Sequence, residues 1–184
     1  GPLALAAPRL GGLRFGVQLV PGPVRAAVPL EGDLADWFNT LDGWAAPLAR
    51  RTRSLLAAGE LEHVCCQDPA ASRELLPMYI ELEARSHKLD QATGVGADAG
   101  RAARHGRLAD AGSTLFHFLL LDGLPIAGTL ALRIDDRVVQ LEGVCDMSFE
   151  DAAPDEVLLM LELRHALEHG AAAVELCTDL VPRH

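Results

Sequence analysis

The distribution of hydrophobic residues predicts a small sheet in the C-terminal half of the chain. Three apolar runs are separated by Asp122-Gly123 and Asp135-Asp136, which are turn signals, so we expect three hairpin-linked strands. A helical pattern closed by Gly170 follows, and after it a last apolar run. The predicted elements are strands at 114–121, 126–134 and 137–145, a helix at 153–169 and a strand at 171–177. In such a unit a ligand site is expected beyond the third strand, where the following helix begins.

The N-terminal half predicts helices around one further strand. Short extended runs at 13–20 and 24–30, interrupted by prolines, indicate that residues 1–30 form an N-terminal arm or an edge hairpin. We expect residues 31–184 to be one domain, because no stretch has the length and composition of a linker. The predicted elements are a helix starting near Asp33, an arginine-rich helix at 47–59, a strand at 61–67, and helices at 69–85 and 99–109. The expected fold class is α/β (α+β), with a mixed, mostly antiparallel sheet flanked by helices.

Composition indicates a globular protein and restricts the partners. The 184 residues are 49% hydrophobic, and the formal net charge is -10. A general nucleic-acid binder needs a basic face, so this charge argues against one. No apolar run is long enough for a membrane span, and we expect no membrane partner.

The cysteines and histidines suggest neither a disulfide framework nor a metal site. None of the four cysteines forms a CxxC pair, and we interpret them as reduced thiols of a cytoplasmic protein. His165 and His169 have the i, i+4 spacing of two metal ligands, but no third ligand accompanies them, so we expect no metal. His117 is expected to be a hydrogen-bonded core residue.

Read in order, the segments from Leu30 to Cys177 resemble the FemAB/CelD-like branch of the GNAT acyltransferase superfamily. No single segment is specific, and the resemblance rests on their order and spacing. It is carried by the arginine-rich helix, Glu83-Ala-Arg-Ser-His-Lys88, Leu121-Asp-Gly-Leu-Pro-Ile-Ala-Gly128, Glu142-Gly-Val-Cys-Asp146, Ala153-Pro-Asp-Glu-Val-Leu-Leu159 and Ala166-Leu-Glu-His-Gly-Ala171.

The chain departs from the family pattern at three places. His87 stands where the family usually has Trp, and Ala153-Pro154-Asp155 replaces Ser-Pro-Gly. A GNAT domain normally adds a final pair of strands after this point. We expect those strands to be missing, supplied by a partner subunit, or located outside this segment, and a homodimer is one such arrangement.

The resemblance implies an acyl-CoA co-substrate and a place for it. The carbonyl and pantetheine would lie along the strand that contains Gly143 and Val144, and the pyrophosphate would meet the helix that starts at Pro154. Asp155 and Glu156 fall in the first turn of that helix, where their carboxylates repel a phosphate, and Pro154 lacks an N–H donor. We therefore predict weak CoA binding, and tighter binding by an Asp155→Gly/Glu156→Ser variant.

Transfer to an amine also needs a general base, and Glu142 is the first candidate. It is an acid in an otherwise apolar strand, on the face expected to carry Val138, Gln140 and Val144, and burial there would raise its pKa. A structural carboxylate paired with an arginine such as Arg133 is an equally good interpretation. Asp146 is the second candidate, although loop aspartates are often turn or cap residues.

Ser86, His87 and Lys88 would line the acceptor side by resemblance, although a polar helix end explains them equally well. The first hypothesis is thus an N-acyltransferase that moves an acyl group from acyl-CoA to a small amine or an amino-acid-like acceptor. The second is aminoacyl transfer from charged tRNA, against which the net charge argues. The third is a GNAT-like binding or assembly module without catalysis, which Asp155, Glu156 and the missing strands favour.

Overall fold

The computed structural model describes residues 26–32, 43, 45–88 and 93–176. Within them the strands are β1 (Ala27–Pro29), β2 (Leu61–Cys66), β3 (Thr114–Leu121), β4 (Leu124–Ile134), β5 (Arg137–Cys145) and β6 (Ala173–Glu175). The α-helices are α1 (Ala45–Ala58), α2 (Pro69–Glu83), α3 (Ala99–Asp110) and α4 (Pro154–Glu168), and a 3₁₀ helix at Met147–Ala152 precedes α4.

The strands form one sheet in the order β1-β6-β5-β4-β3-β2. All neighbouring strands are antiparallel except β5 and β6, which are parallel because α4 connects them. The predicted fold class, a mixed and mostly antiparallel sheet flanked by helices, is confirmed.

Helices cover both faces of the sheet. Residues of α4 and α1 pack with Leu115, Leu119 and Leu121 of β3 on one face. On the other face, α2 and α3 cover the alternate residues Phe116 and Phe118. The period-2 alternation of β3 thus divides a mostly apolar strand between two cores, as expected for a strand buried on both sides.

Most of the predicted elements lie where the sequence placed them, with small shifts at their ends. β3 and β5 match the predicted ranges, β4 begins two residues earlier than predicted, and β6 is shorter within the described residues. In the described part of the run at 24–30, the strand is β1, which pairs with β6. The predicted strand at 13–20, the helix starting near Asp33 and Cys177 lie outside the described residues.

The pairing of β4 with β5 contains an irregularity that the alternation of residues did not predict. Leu130 is opposite Glu142 but Ala131 is opposite Gln140, so Leu141 is an extra residue on β5. Such a bulge reverses the direction of the side chains that follow it. Gln140 therefore faces α4, whereas Glu142 faces α2 and α3. The expectation that these two side chains share a face was wrong.

The described pairing of β5 with β6 is short. Within the residues that the structure describes, which end at 176, the parallel register joins Arg137, Val138 and Val139 of β5 to the three residues of β6 and includes no residue beyond Val139. The C-terminal half of β5, with Glu142, therefore follows the last described pair between the two strands.

The hydrophobic core is close to the predicted one. Leu115, Phe116, Phe118, Ile126, Leu130, Leu159, Leu163, Val174 and Leu176 are buried as expected. The other predicted core residues are only partly buried: Leu120, Leu132, Val139 and Leu141. For Leu141 the reason is the bulge, which takes this side chain out of the regular alternation. In the part of the chain that the structure describes, no helix is both long enough and apolar enough to cross a bilayer.

Candidate active site

Glu142 lies at the centre of a cluster of ionisable side chains on the α2/α3 face of the sheet. Its Oε2 accepts a hydrogen bond from Lys88 Nζ at 2.9 Å, and its Oε1 is 3.6 Å from an Arg101 guanidinium nitrogen and 3.8 Å from Nε2 of His105. The carboxylate is therefore surrounded by three basic groups. Arg133, the partner considered from the sequence, instead donates to the carbonyl of His169.

These neighbours reverse the expected pKa of Glu142. Burial alone would raise it, as the sequence suggested, but His105, the hydrogen-bonded ammonium of Lys88 and the charge of Arg101 lower the pKa to about 2. The expectation of a raised pKa was wrong, because it could not include groups that are distant in sequence. In this arrangement Glu142 is a firmly ionised carboxylate, suited to holding a cation. Its role as general base stays a prediction.

Lys88 is brought to Glu142 by the C-terminal end of α2. The hydroxyl of Ser86 donates to the carbonyl of Glu83 and accepts from the backbone N–H of Lys88, which fixes the turn after the helix. Lys88 is the only lysine in the sequence, and its side chain is 12% exposed. His87 points elsewhere: it is exposed, and its ring nitrogen is 3.4 Å from Glu150. Of the three predicted acceptor-side residues, the structure brings Lys88 alone to Glu142.

Glu83 fastens the loop that precedes α3. Its carboxylate accepts hydrogen bonds from the backbone N–H groups of Val95 and Gly96, both at 2.9 Å. A side chain at Gly94 would collide with this carboxylate, since an added Cβ would lie 2.7 Å from Glu83 Oε2. Arg101 adds a hydrogen bond to the carbonyl of Thr93. The loop thus leads into α3, which carries Arg101 and His105 to the site.

His105 was not identified from the sequence, which predicted its helix at 99–109 without assigning a functional residue to it. The residue is 2% exposed, and neither ring nitrogen has a hydrogen-bond partner among the described residues. Arg101 and His105 are four positions apart, which places them on one face of a helix. That spacing was the available signal, but no residue pattern in the chain directs this helix face toward Glu142.

Asp146 caps a helix, which is the structural role that the sequence analysis gave as the alternative to catalysis. Its carboxylate accepts from the backbone N–H of Ser148 at 2.9 Å, as the N-cap of the 3₁₀ helix, and lies 3.3 Å from Nε of Arg85. Gly143 and Val144 continue β5 beside Glu142, and Val144 packs in the core under α2. The predicted catalytic role of Asp146 and the predicted cofactor roles of Gly143 and Val144 stay predictions.

The start of α4 offers few free donors. Ala153 precedes it in the left-handed conformation, with φ 43° and no side-chain cap, and Pro154 supplies no N–H. The N–H of Glu156 is bonded to the carbonyl of Ala153. Burial raises the pKa of Asp155, against the effect of its own backbone N–H and Arg51. Arg51 of α1 also forms an ion pair with Glu156.

A second polar cluster lies on the opposite, α4 face of the sheet. His63 Nε2 is 3.1 Å from His117 Nδ1, and Cys65 Sγ is 3.2 Å from His165 Nε2. Burial lowers the pKa of His63 to about 4 and raises that of Cys65 to about 12. Within the described residues no three His, Cys, Asp or Glu side chains are placed to hold a metal ion.

Glu162 is a buried carboxylate on the same side of the sheet. It accepts hydrogen bonds from Thr129 of β4 and from Gln140 of β5, just before the bulge. Burial raises its pKa to about 7 in spite of these bonds. Glu162 therefore ties α4 to the two strands on either side of the irregularity that turns Glu142 to the other face.

A comparison with models of known families tests the resemblance drawn from the sequence. The family model described as "Acetyltransferase (GNAT) domain" matches residues 46–180 of the chain. The chain belongs to this family. The GNAT resemblance drawn from the sequence is thereby confirmed, and membership supports an acyltransferase type of role.

Two solved structures similar to this GNAT domain match its fold at low sequence identity. The C-terminal domain (DUF2156) of a putative lysylphosphatidylglycerol synthetase from Agrobacterium fabrum matches with a TM-score of 0.56 and 13% identity, over 83% of this chain and 44% of that one. A conserved protein of unknown function from Bacteroides thetaiotaomicron matches with a TM-score of 0.57 and 17% identity, over 85% and 50%. FemX gives a TM-score of only 0.27 at 16% identity, over 71% and 29%.

The GNAT domain spans half or less of the length of each of these structures. The likeness therefore concerns the fold, and the activities of the longer proteins are not transferred with it. No curated protein matches the chain.

Proposed function

We propose that this GNAT domain is an N-acyltransferase that moves an acyl group from an acyl-CoA thioester to an amine bound at Glu142. The observation that carries the proposal is the position of Glu142: a buried carboxylate, at a bulge of β5, just beyond the last pair that β5 forms with β6 among the described residues. Bulges are common next to active sites because they re-aim a side chain. Here the bulge directs a negative charge into a site formed by α2 and α3.

The acyl-bearing end of the donor would lie along the half of β5 that follows Val139, where no described residue of β6 pairs with the β5 backbone. When bound, the thioester supplies an activated carbonyl carbon, and transfer yields an amide and a free thiol. The pyrophosphate end does not fit the start of α4 as it stands. Pro154 provides no donor there, and the carboxylates of Asp155 and Glu156 lie in the first turn. Residues are therefore proposed for the acyl end of the donor and for the acceptor, but not for the pyrophosphate.

Glu142 would act first by binding the acceptor ammonium in the place that Lys88 Nζ occupies. The acceptor ammonium then replaces Lys88 as the hydrogen-bonded cation that keeps Glu142 ionised. Glu142 would thus hold the acceptor nitrogen while in the charged form that can accept its proton. A positioned base typically contributes about 10²–10⁴-fold to such a reaction.

The test is a turnover assay with acetyl-CoA and longer acyl-CoA donors against a panel of amines, following thiol release and the mass of the amide. We expect thiol release that requires both the protein and an amine. Glu142→Gln should lower it by about 10²–10⁴-fold. Glu81→Gln, an exposed glutamate on α2, is the matched control and should retain activity. Absence of amine-dependent thiol release with every donor would refute acyl-CoA transfer, and charged tRNA would then be tried as donor.

The start of α4 favours a second candidate, a GNAT-like module that binds or assembles without catalysis. Its two acidic residues and missing proline N–H disfavour a phosphate-bearing donor. In that case the protein would bind an amine at Glu142 but would consume neither acyl-CoA nor aminoacyl-tRNA.

A further inference from the structure

The charges that face Glu142 define which amines the site can accept. The described charged groups are Glu83, at the end of α2, Lys88 just after it, Arg101 on α3 and Glu142 on β5, with the His105 imidazole beside them. Two carboxylates thus face two cations. The Glu83 carboxylate is committed to the N–H groups of the loop, whereas that of Glu142 is shared between Lys88 and Arg101.

An ammonium that reaches Glu142 must displace the ammonium of Lys88. The Lys88 side chain is 12% exposed and that of Glu142 is 10% exposed, so the exchange takes place away from bulk water. A largely buried cation that loses its anion is costly unless a new anion replaces it. A simple amine brings no anion and would leave Lys88, and in part Arg101, uncompensated.

An acceptor with its own carboxylate removes this cost. In an α-amino acid the ammonium nitrogen and the carboxylate carbon are two bonds apart, so both groups can lie within the same ion cluster. The ammonium would bind Glu142 while the carboxylate would bind Lys88 and Arg101. The exchange adds no net charge to the site, whereas a phosphate-bearing amine, with its additional negative charge, would leave the cluster unbalanced.

We infer that the acceptor is a zwitterion, an amino acid whose ammonium pairs with Glu142 and whose carboxylate pairs with Lys88 and Arg101. The acceptor role of the amino acid rests on the proposed function, but binding of the amino acid needs no acyl donor. A cavity of about 380 Å³ adjoins Lys88 and is lined by Ile80, Glu83, Ala84, Gly94, Gly96 and Ala97. Its mostly apolar lining suits an apolar side chain.

Because Lys88 is the only lysine, its ammonium can be followed without interference. Protein labelled with ¹³C at the lysine ε-carbon gives one lysine signal by NMR, and this signal reports whether the pair with Glu142 is kept or exchanged. The probes are a mixture of the protein amino acids, then leucine alone, and then leucinamide and 3-methylbutylamine, which keep the amine and the side chain but lack the carboxylate.

We expect the amino-acid mixture, and leucine within it, to shift the Lys88 signal in a saturable way. The two analogues without a carboxylate should bind at least about 10-fold more weakly, as expected for the loss of a charge-assisted hydrogen bond. Arg101→Gln should weaken leucine binding, so that the affinities for leucine, leucinamide and 3-methylbutylamine become more similar. Arg104→Gln, exposed on the same helix, should retain the discrimination.

Two results would overturn the inference: no amino acid in the mixture moves the Lys88 signal, or the amines lacking a carboxylate bind as tightly as leucine. The proposed function is judged separately by thiol release. Amino-acid binding without acyl transfer would support this inference and refute the function. Acyl transfer to amines with and without a carboxylate alike would support the proposed function and refute this inference.

Discussion

Arg51 of α1 forms an ion pair with Glu156 in the first turn of α4. Glu156 is one of the two acidic residues that, in the sequence analysis, argued against phosphate binding at this helix start. Because Arg51 pairs with Glu156, its guanidinium is not free to bind an anionic ligand. The two residues are 105 positions apart, and their contact links α1 to the helix that follows the candidate active site.

The pair leads to a prediction about CoA binding. Glu156→Gln should tighten CoA binding by roughly 5-fold, because it removes a negative charge from the helix start and frees the guanidinium of Arg51. Arg51→Gln should weaken binding, because Glu156 is then uncompensated. Titration calorimetry with CoA measures both, with Arg53→Gln, exposed on the same helix, as control. Unchanged affinity in both variants would show that the pyrophosphate does not approach the start of α4.

Gly128 on β4 is close to the ring of Phe118 on β3. An added Cβ at Gly128 would lie 3.0 Å from two ring carbons of Phe118 and 3.3 Å from a methyl carbon of Leu82. Gly128→Ala should therefore destabilise the domain by about 1–3 kcal/mol. In a Phe118→Leu background, the loss of unfolding free energy caused by Gly128→Ala should be smaller by at least about 0.5 kcal/mol, as measured by urea unfolding. Strictly additive effects would mean that the ring does not limit the space at Gly128.

Glu162 predicts a dependence of stability on pH. Its pKa in the folded protein is about 7, above the ordinary 4.5, so the folded state binds the proton more tightly than the unfolded state. This contribution is fully present below pH 4.5 and is lost as the pH rises through 7. Between pH 5 and 8 the free energy of unfolding of the wild type should fall by about 2 kcal/mol more than that of Glu162→Gln, as measured by urea unfolding.

His63 acts in the opposite sense and must be separated from Glu162. Its folded pKa of about 4 is below the ordinary 6.5, so its contribution is lost as the pH falls from 6.5 to about 4. The histidine is present in both proteins, so the difference between wild type and Glu162→Gln isolates the carboxyl. Glu168→Gln, exposed near the end of α4, should follow the wild-type profile. An equal pH dependence for wild type and Glu162→Gln would refute the raised pKa.

Ala153 adopts a left-handed conformation with φ 43° and ψ 62°. That conformation costs an L-residue about 1–2 kcal/mol, and glycine avoids the cost but gains freedom in the unfolded chain. Ala153→Gly should therefore stabilise the domain by about 0.5–1 kcal/mol in thermal or chemical unfolding. Ala103→Gly, at an exposed position inside α3, is the contrasting control and should destabilise by about 1 kcal/mol.

The sequence predicted those parts of the fold whose signals are local. The apolar run of β3, the turn at Asp122-Gly123 and the helix start at Pro154 each depend on neighbouring residues, and each was placed correctly. The bulge at Leu141 has no such signal, because an inserted residue leaves the apolar pattern of β5 unchanged. The sides of Gln140 and Glu142 were consequently misassigned beyond that point.

The candidate site was predicted in composition but not in arrangement. Glu142 and Lys88 were both chosen, from a strand and from a helix end 54 positions apart, and the structure joins them. The shift in the pKa of Glu142 was predicted in the wrong direction. The sequence pattern indicated that Glu142 is buried, but it did not show that basic side chains surround it. His105 is an interior residue of a short helix whose pattern showed mainly arginines, and only the packing of α3 against α2 reveals it.

The central claim, that acyl transfer takes place at Glu142, is tested most directly by a crystal structure with a non-transferable thioether analogue of acyl-CoA and an amino acid. The account predicts the acyl end beside the half of β5 beyond Val139. The amino-acid nitrogen should lie within hydrogen-bonding distance of the Glu142 carboxylate, and Lys88 should be turned to the amino-acid carboxylate. An acyl group bound away from β5, or a Lys88–Glu142 pair that stays closed with both ligands bound elsewhere, would contradict it.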